Sequence, residues 1–404
     1  MLKRQLSLLN TTLRWFLLAM ILANISSEMA YVLLPVYLRQ LGATVAQVGL
    51  VFSVESLVLL VLQLFGGLLS DALGRLRTIA LGSVAAATGY LLLPLSPSWQ
   101  WVMLALSLEV ISGAMVGPSF APFIAEQSSE ENRGRVFGLA LSVFLVVGVI
   151  GPALGGSLTS HFGFRVMLWV AFALYAGAAG LRVWMAHSAR FVGPQPGQRP
   201  TLQTLREQVR QMARLWADRD QLRWIGVIFA VRDVALQLCG QMQSLYLAQV
   251  GGMSVARIGW LGSAAGMAKM LATFLAGWFA DRRGERLTML GGLVLEAAGL
   301  LILVQAQNLW GFAAALAAIA AGGGILLTTY SSLLSKMVPE KIRGLASATL
   351  QTVFGLVHLP APWVGAQLWE RWSPRAPFAV SAVAILVSAL PARFKLRSVG
   401  GKGT

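Results

Sequence analysis

The sequence predicts an all-α polytopic membrane protein, with twelve transmembrane helices in two pseudo-symmetric six-helix bundles. Three observations carry this. First, 56% of the 404 residues are hydrophobic and 12% are charged, with a mean hydropathy of +0.69; a soluble domain carries about 25% charged residues. Second, the apolar residues fall in separate runs of about 20 residues, the length that crosses a hydrocarbon core. Third, landmarks recur at an offset of about 210 residues. Together they exclude a soluble globular enzyme, a disordered chain and a fibrous protein. A transmembrane β-barrel is also excluded, because it would show short alternating segments.

The runs place spans at 14–39, 46–70, 77–97, 100–126, 136–160, 166–186, 222–249, 256–280, 287–306, 309–337, 344–369 and 375–394. Span 1 follows Lys3 and Arg4 but is too long for the apolar region of a signal peptide and contains Glu28. Very short connections at 94–100 and 306–309 make spans 3 and 4, and 9 and 10, hairpin neighbours. The long connection 187–221 divides the chain into an N-terminal bundle (1–186), a linker and a C-terminal bundle (222–404). The linker opens on Val192-Gly193-Pro194. Thr201 to Asp218 then has Leu202, Leu205, Val209, Met212 and Leu215 on one face, as in a basic helix lying on a membrane surface.

The net charge of +16 does not signal nucleic acid, because the basic residues sit in short loops. Twenty-four of the 32 fall on the side of the N-terminus and five on the other, with Arg182, Arg232 and Lys269 inside spans. This bias puts both termini in the cytoplasm. Trp99, Trp101, Trp310, Trp369 and Trp372 fall near the outer ends, as an interfacial aromatic belt does. The single cysteine, Cys239, allows neither an intrachain disulfide nor a cysteine metal site. No nucleotide loop or metal-ligand spacing occurs, so neither a cofactor nor a metal is expected.

Several landmarks pair across the repeat: Gly67 with Gly277, Asp71 with Asp281, Gly74 with Gly284, Pro152 with Pro362 and Tyr37 with Tyr246. The loop after span 2 reads Gly67-x-x-x-Asp71-x-x-Gly74-Arg75-x-Arg77, and its copy Gly277-x-x-x-Asp281-x-x-Gly284-Glu285-Arg286. This pattern resembles the signature loop of the major facilitator superfamily, and with the repeat the resemblance covers nearly the whole chain. It implies a cytoplasmic gate in which Asp71 sits at the positive start of span 11 near Arg343-Gly344 and Arg75 pairs with Glu126. In the second copy Glu285 and Lys336 invert the charge order. Span 5 carries Gly151-Pro152-x-x-Gly155-Gly156, which resembles the motif of the drug:proton antiporter branch; small residues also serve plain helix packing. Span 4 departs from the family, with Glu109 four residues before Gly113 where an arginine is common.

Ionisable residues in the bilayer are functional hypotheses by default. Glu28, Glu55, Glu109, Arg232, Asp233 and Lys269 lie mid-span. The resemblance makes spans 1, 4, 7 and 10 cavity-lining, with 2, 5, 8 and 11 beside them. Asn24, Glu28 and Tyr31 share one helical face; Asp233, Gln237, Gln241 and Ser244 form a matching stripe. The plainer reading is a satisfied ion pair, for example Asp233 or Glu55 with Lys269. Glu296 is mid-span in a span the fold makes peripheral. His358, beside Pro360, is a further titratable candidate, and Arg182 is expected to snorkel to the inner surface.

The expectation is a non-enzymatic secondary transporter of a bacterial inner membrane, acting as a monomer in the lipid bilayer. It would export small amphipathic compounds by alternating access, coupled to protons. The alternative is an uptake carrier for an organic anion or other polar solute, anchored by Arg232 and Lys269. A non-transporting scaffold or sensor is the third reading.

Overall fold

A computed structural model describes residues 10–188, 210 and 220–395. The linker helix expected at 201–218 and both chain ends lie outside the described residues. Those described form fourteen helices and no strand: α1 (Thr11–Tyr31), α2 (Leu34–Gln40), α3 (Val45–Leu73), α4 (Arg75–Leu95), α5 (Trp99–Glu126), α6 (Arg133–His187), α7 (Asp220–Gly240), α8 (Gln243–Gln249), α9 (Val255–Arg283), α10 (Glu285–Gln305), α11 (Leu309–Met337), α12 (Glu340–His358), α13 (Ala361–Arg371) and α14 (Ala376–Phe394). Nine of these are long and apolar enough to cross a membrane.

Three spans expected as single helices are broken. Span 1 is α1 and α2, because Pro35 has no N–H to give the Tyr31 carbonyl and its ring crowds that turn. Span 11 is α12 and α13, broken at Pro360 with Pro362 following. Span 7 is α7 and α8, parted just after Gly240, a residue of low helix propensity. Conversely, spans 5 and 6, expected as separate helices, run through α6 and turn only at Gly163 (φ 83°, ψ 167°). A side chain there would be strained, so glycine makes the corner without a loop.

The chain divides into two compact units. Unit 1 is Met1–Thr44, Val54–Arg199 and Ser254–Ser263; unit 2 is Val45–Ser53, Pro200–Met253 and Ala264–Thr404. In unit 1, α1 lies along α6 and α4 packs against both α5 and α6. Leu13, Phe16 and Met20 of α1 meet Ile79, Phe123, Val136 and Met185 in its core. The start of α9 belongs to this unit: the Ala153 N–H donates to Ser263 Oγ at 2.9 Å, and a methyl on Gly156 would stand 2.8 Å from the Gly259 Cα.

In unit 2, α7 packs on α12, α13 and α14, and α10 on α11 and α14. Ser381 Oγ donates to the Ala235 carbonyl at 2.6 Å, and buried Tyr246 is ringed by Phe312, Trp369 and Phe378. The start of α3 joins this unit, where Ser53 Oγ accepts the Trp363 N–H at 3.2 Å and Glu370 Oε1 accepts the Ala46 N–H at 2.9 Å.

Candidate functional site

In unit 1 the span-5 motif is the seat of span 1. A methyl on Gly151 would collide with Glu28, and one on Gly155 with the Met29 backbone, while Gly148 has nothing within 4 Å. Glycine at the two motif positions therefore lets α6 approach the turn that carries Glu28. Pro152 is buried between them. Asn24 turns its amide back to the Met20 carbonyl at 2.7 Å, and Tyr31 is 38% exposed.

Behind this face lies a buried polar chain. Tyr90 stacks on Tyr175 with centroids 4.6 Å apart, and the Tyr175 hydroxyl donates to Ser112 Oγ at 2.8 Å. Tyr90 also lies against Glu109, and Glu55 is within electrostatic reach of Glu109. Glu55 Oε2 is buried with no hydrogen-bond partner among the described residues. Arg182 corrects an expectation. Rather than snorkelling, it is 3% exposed and donates to Ser83 Oγ at 2.7 Å, so a hydroxyl inside the unit gives the guanidinium an internal partner while its Nε keeps none among the described residues.

The two signature loops turn on Gly74 (φ 91°) and Gly284 (φ 82°). Arg75 Nε stands 3.6 Å from Glu126 Oε1 and its guanidinium donates to Ser70 Oγ at 2.9 Å. The second copy joins Glu285 to Lys336 in an ion pair, with Ser332 Oγ donating to Glu285 at 3.3 Å. A methyl on Gly277 would meet nothing within 4 Å among the described residues, which show no close helix approach there, and Asp281 is exposed. Gly67 and the Asp71 side chain fall outside the described residues.

Unit 2 holds the other charges. Arg232 forks onto Glu296, with Nε and Nη2 each 2.7 Å from a carboxylate oxygen; Glu296 is 1% exposed. Asp233 pairs with His358. The suggested pairing of Asp233 with Lys269 is thus replaced by two other pairs, because α10 and α12 bring a carboxylate and an imidazole closer to α7. Lys269 makes no side-chain hydrogen bond or ion pair among the described residues. It lines a cavity of about 270 Å³ with Phe229, Arg232, Asp233, Gly323, Leu327, Tyr330 and Phe354. Gln237 sits half-buried one turn beyond Asp233.

Sequence reasoning set Glu296 aside as peripheral and did not single out Phe229, Tyr330 or Phe354. The depth of Glu296 was itself a signal, because a carboxylate at mid-membrane requires a partner. The aromatics gave none, being ordinary residues of apolar spans.

The sequence model of the family described as Major Facilitator Superfamily matches residues 16–238 and 234–403. This chain belongs to the Major Facilitator Superfamily. It is therefore a multi-pass membrane protein of a transporter family. It is similar to the multidrug resistance protein MdtG of Salmonella arizonae, with 25% identity over 94% of each chain. MdtG of Enterobacter lignolyticus is 24% identical over 97% of this chain and 93% of its own. Among solved structures, an auto-inhibited POT family peptide transporter aligns with a TM-score of 0.78 at 14% identity, covering 98% of this chain and 99% of that one. A mutant peptide transporter POT in complex with alafosfalin aligns at 0.74 with 13% identity, covering 94% and 93%. At such identities these two speak for the fold alone.

Proposed function

We propose that this superfamily member is a proton-coupled exporter of small amphipathic compounds, working by alternating access in a bacterial inner membrane. One observation carries the reading: Glu28, mid-span in span 1, is seated on Gly151 of the span-5 motif, in a chain similar over 94% of its length to proteins named for multidrug resistance. A carboxylate there exchanges its proton as the cavity alternates between a closed, poorly solvated state and one open to water. Asn24 and Tyr31 share its face. Glu55 and Glu109 form a second acidic site behind it, and in unit 2 Arg232, Asp233 and Lys269 line a cavity of their own, with Gln237 one turn beyond Asp233. The loops with Asp71, Arg75 and Glu126, and with Asp281, Glu285 and Lys336, form the cytoplasmic gate. The working division is an N-terminal bundle 1–186, a cytoplasmic linker 187–221 and a C-terminal bundle 222–404. Both termini are cytoplasmic and the chain acts as a monomer in lipid.

The test uses everted membrane vesicles with a respiratory pH gradient, acid inside, and a panel of lipophilic cations, neutral compounds and organic anions. At least one compound should accumulate only in vesicles holding the protein, and release when nigericin collapses the gradient. No accumulation, or accumulation indifferent to nigericin, overturns the reading.

A further inference from the structure

Resting on that export reading, we propose that the cavity of unit 2 is an anion-accepting substrate subsite. Its ligand class is organic acids ionised at neutral pH that carry a flat apolar body, with Lys269 and Tyr330 as anchors.

The argument is one of charge and of uncommitted donors. Of the five groups Arg232, Glu296, Asp233, His358 and Lys269 on or beside the wall, four are already engaged. The Arg232 fork gives two of its five donors to Glu296, and that carboxylate cancels its charge. Asp233 is held by His358. Lys269 has no hydrogen-bond or ion-pair partner among the described residues, so the charged group that an incoming molecule meets with all its donors uncommitted is a cation. The Tyr330 hydroxyl is buried with no hydrogen-bond partner among the described residues, an arrangement that a ligand acceptor relieves.

The remaining walls suit the body of such a ligand. Phe229 and Tyr330 pack with centroids 4.7 Å apart at 58°, and Phe354 and Leu327 complete an apolar surface. Gly323 keeps the fork uncovered at the wall: a methyl there would stand 3.4 Å from Glu296 Oε1 and 3.5 Å from Arg232 Nη2. A cationic ligand would find both carboxylates taken and a lysine in its way.

The experiment measures saturable binding of tritiated 2-naphthalenesulfonate, ionised at every assay pH, to the purified full-length chain, with tetraphenylphosphonium as the cationic comparator. Wild type should bind the sulfonate. Lys269→Ala should weaken it about tenfold, as removal of a charged hydrogen-bonding partner does, and Lys269→Arg should restore most of it. Tyr330→Phe should weaken it about threefold through loss of a neutral hydrogen bond. In each variant the sulfonate should lose several-fold more affinity than tetraphenylphosphonium does. Should Lys269→Ala unfold, Lys269→Gln and Tyr330→Phe carry the comparison. Absent sulfonate binding, binding indifferent to Lys269, or equal loss of both ligands overturns the subsite. Gradient-driven accumulation of tetraphenylphosphonium without sulfonate binding removes the subsite and leaves export standing. Lysine-dependent sulfonate binding without gradient-driven movement of any compound does the reverse.

Discussion

Glu296 is tolerated at 1% exposure because both of its oxygens accept from one guanidinium. Breaking such a pair from one side strands a buried charge and costs about 3–5 kcal/mol, whereas removing both partners is often neutral. Arg232→Met should therefore destabilise the purified protein by that order in reversible mixed-micelle unfolding, and Arg232→Met with Glu296→Leu should recover most of it. A double variant no better than the single would refute the account. Glu28→Gln keeps shape and mimics the protonated acid. It should abolish pH-gradient-driven transport, leave substrate binding measurable and remove much of its pH dependence. If gradient-driven transport persists in full, Glu28 is not the essential carrier, and Glu109 or Asp233 is next. That these charges lie mid-membrane was legible in the sequence. Their partners were not, because Glu296 lies 64 residues from Arg232 and His358 lies 125 from Asp233, on helices that only the fold brings together.

At the scale of the helix, hydropathy located the spans but did not show where they break or join. The apolar run continues through Pro35, and at Gly240 the stripe Gln237, Gln241 and Ser244 reads as one face of an unbroken helix, so neither pattern marks the interruption. Proline gives a local cause at Pro35 and Pro360, whereas the part in span 7 has only a glycine before it. The span 5–6 corner was hidden for the opposite reason: the polar residues around His161 read as a loop, yet one glycine with positive φ suffices. Gly163→Ala should therefore lower stability by about 1 kcal/mol or more, as side chains in that conformation do. A sharper comparison sits about two helix turns apart. Gly155→Ala drives a methyl into the Met29 backbone, and Gly148→Ala meets open space. The first should lower the apparent unfolding temperature in detergent by several degrees, a core-overpacking loss of about 1–3 kcal/mol, and the second should leave it unchanged. Equal behaviour would show that the motif glycines do not seat span 1.

For the molecule as a whole, the positive bias of one set of loops predicts the sidedness, and chemical labelling tests it. With Cys239 replaced by serine, a cysteine at Gln307 should react with a membrane-impermeant maleimide in intact cells. One at Lys402 should react only after permeabilisation. The inverse pattern would invert the topology. The repeat read from sequence reappears in the helix bounds: Val45–Leu73 answers Val255–Arg283 and Arg75–Leu95 answers Glu285–Gln305, each with equal length. Leu34–Gln40 and Gln243–Gln249, both of seven residues, stand one position closer, so the extra residue lies in the connection before Val255.

The matching bounds make it possible to ask what stands opposite each membrane-embedded charge. Opposite Glu28 is Gln237, and opposite Asp233 is Asn24. Ala23 answers Arg232, Leu59 answers Lys269, Ala265 answers Glu55, Ile319 answers Glu109, Ala86 answers Glu296, and Gly148 answers His358. No charge has a charged twin. The two copies share the lengths of spans 2 and 3 and the glycine turn between them, but they divide the ionic labour, so neither copy can stand in for the other. A chain built of the first half twice would retain the glycine turn between spans 2 and 3 in both copies and would lack Lys269, His358 and the Arg232–Glu296 and Asp233–His358 pairs.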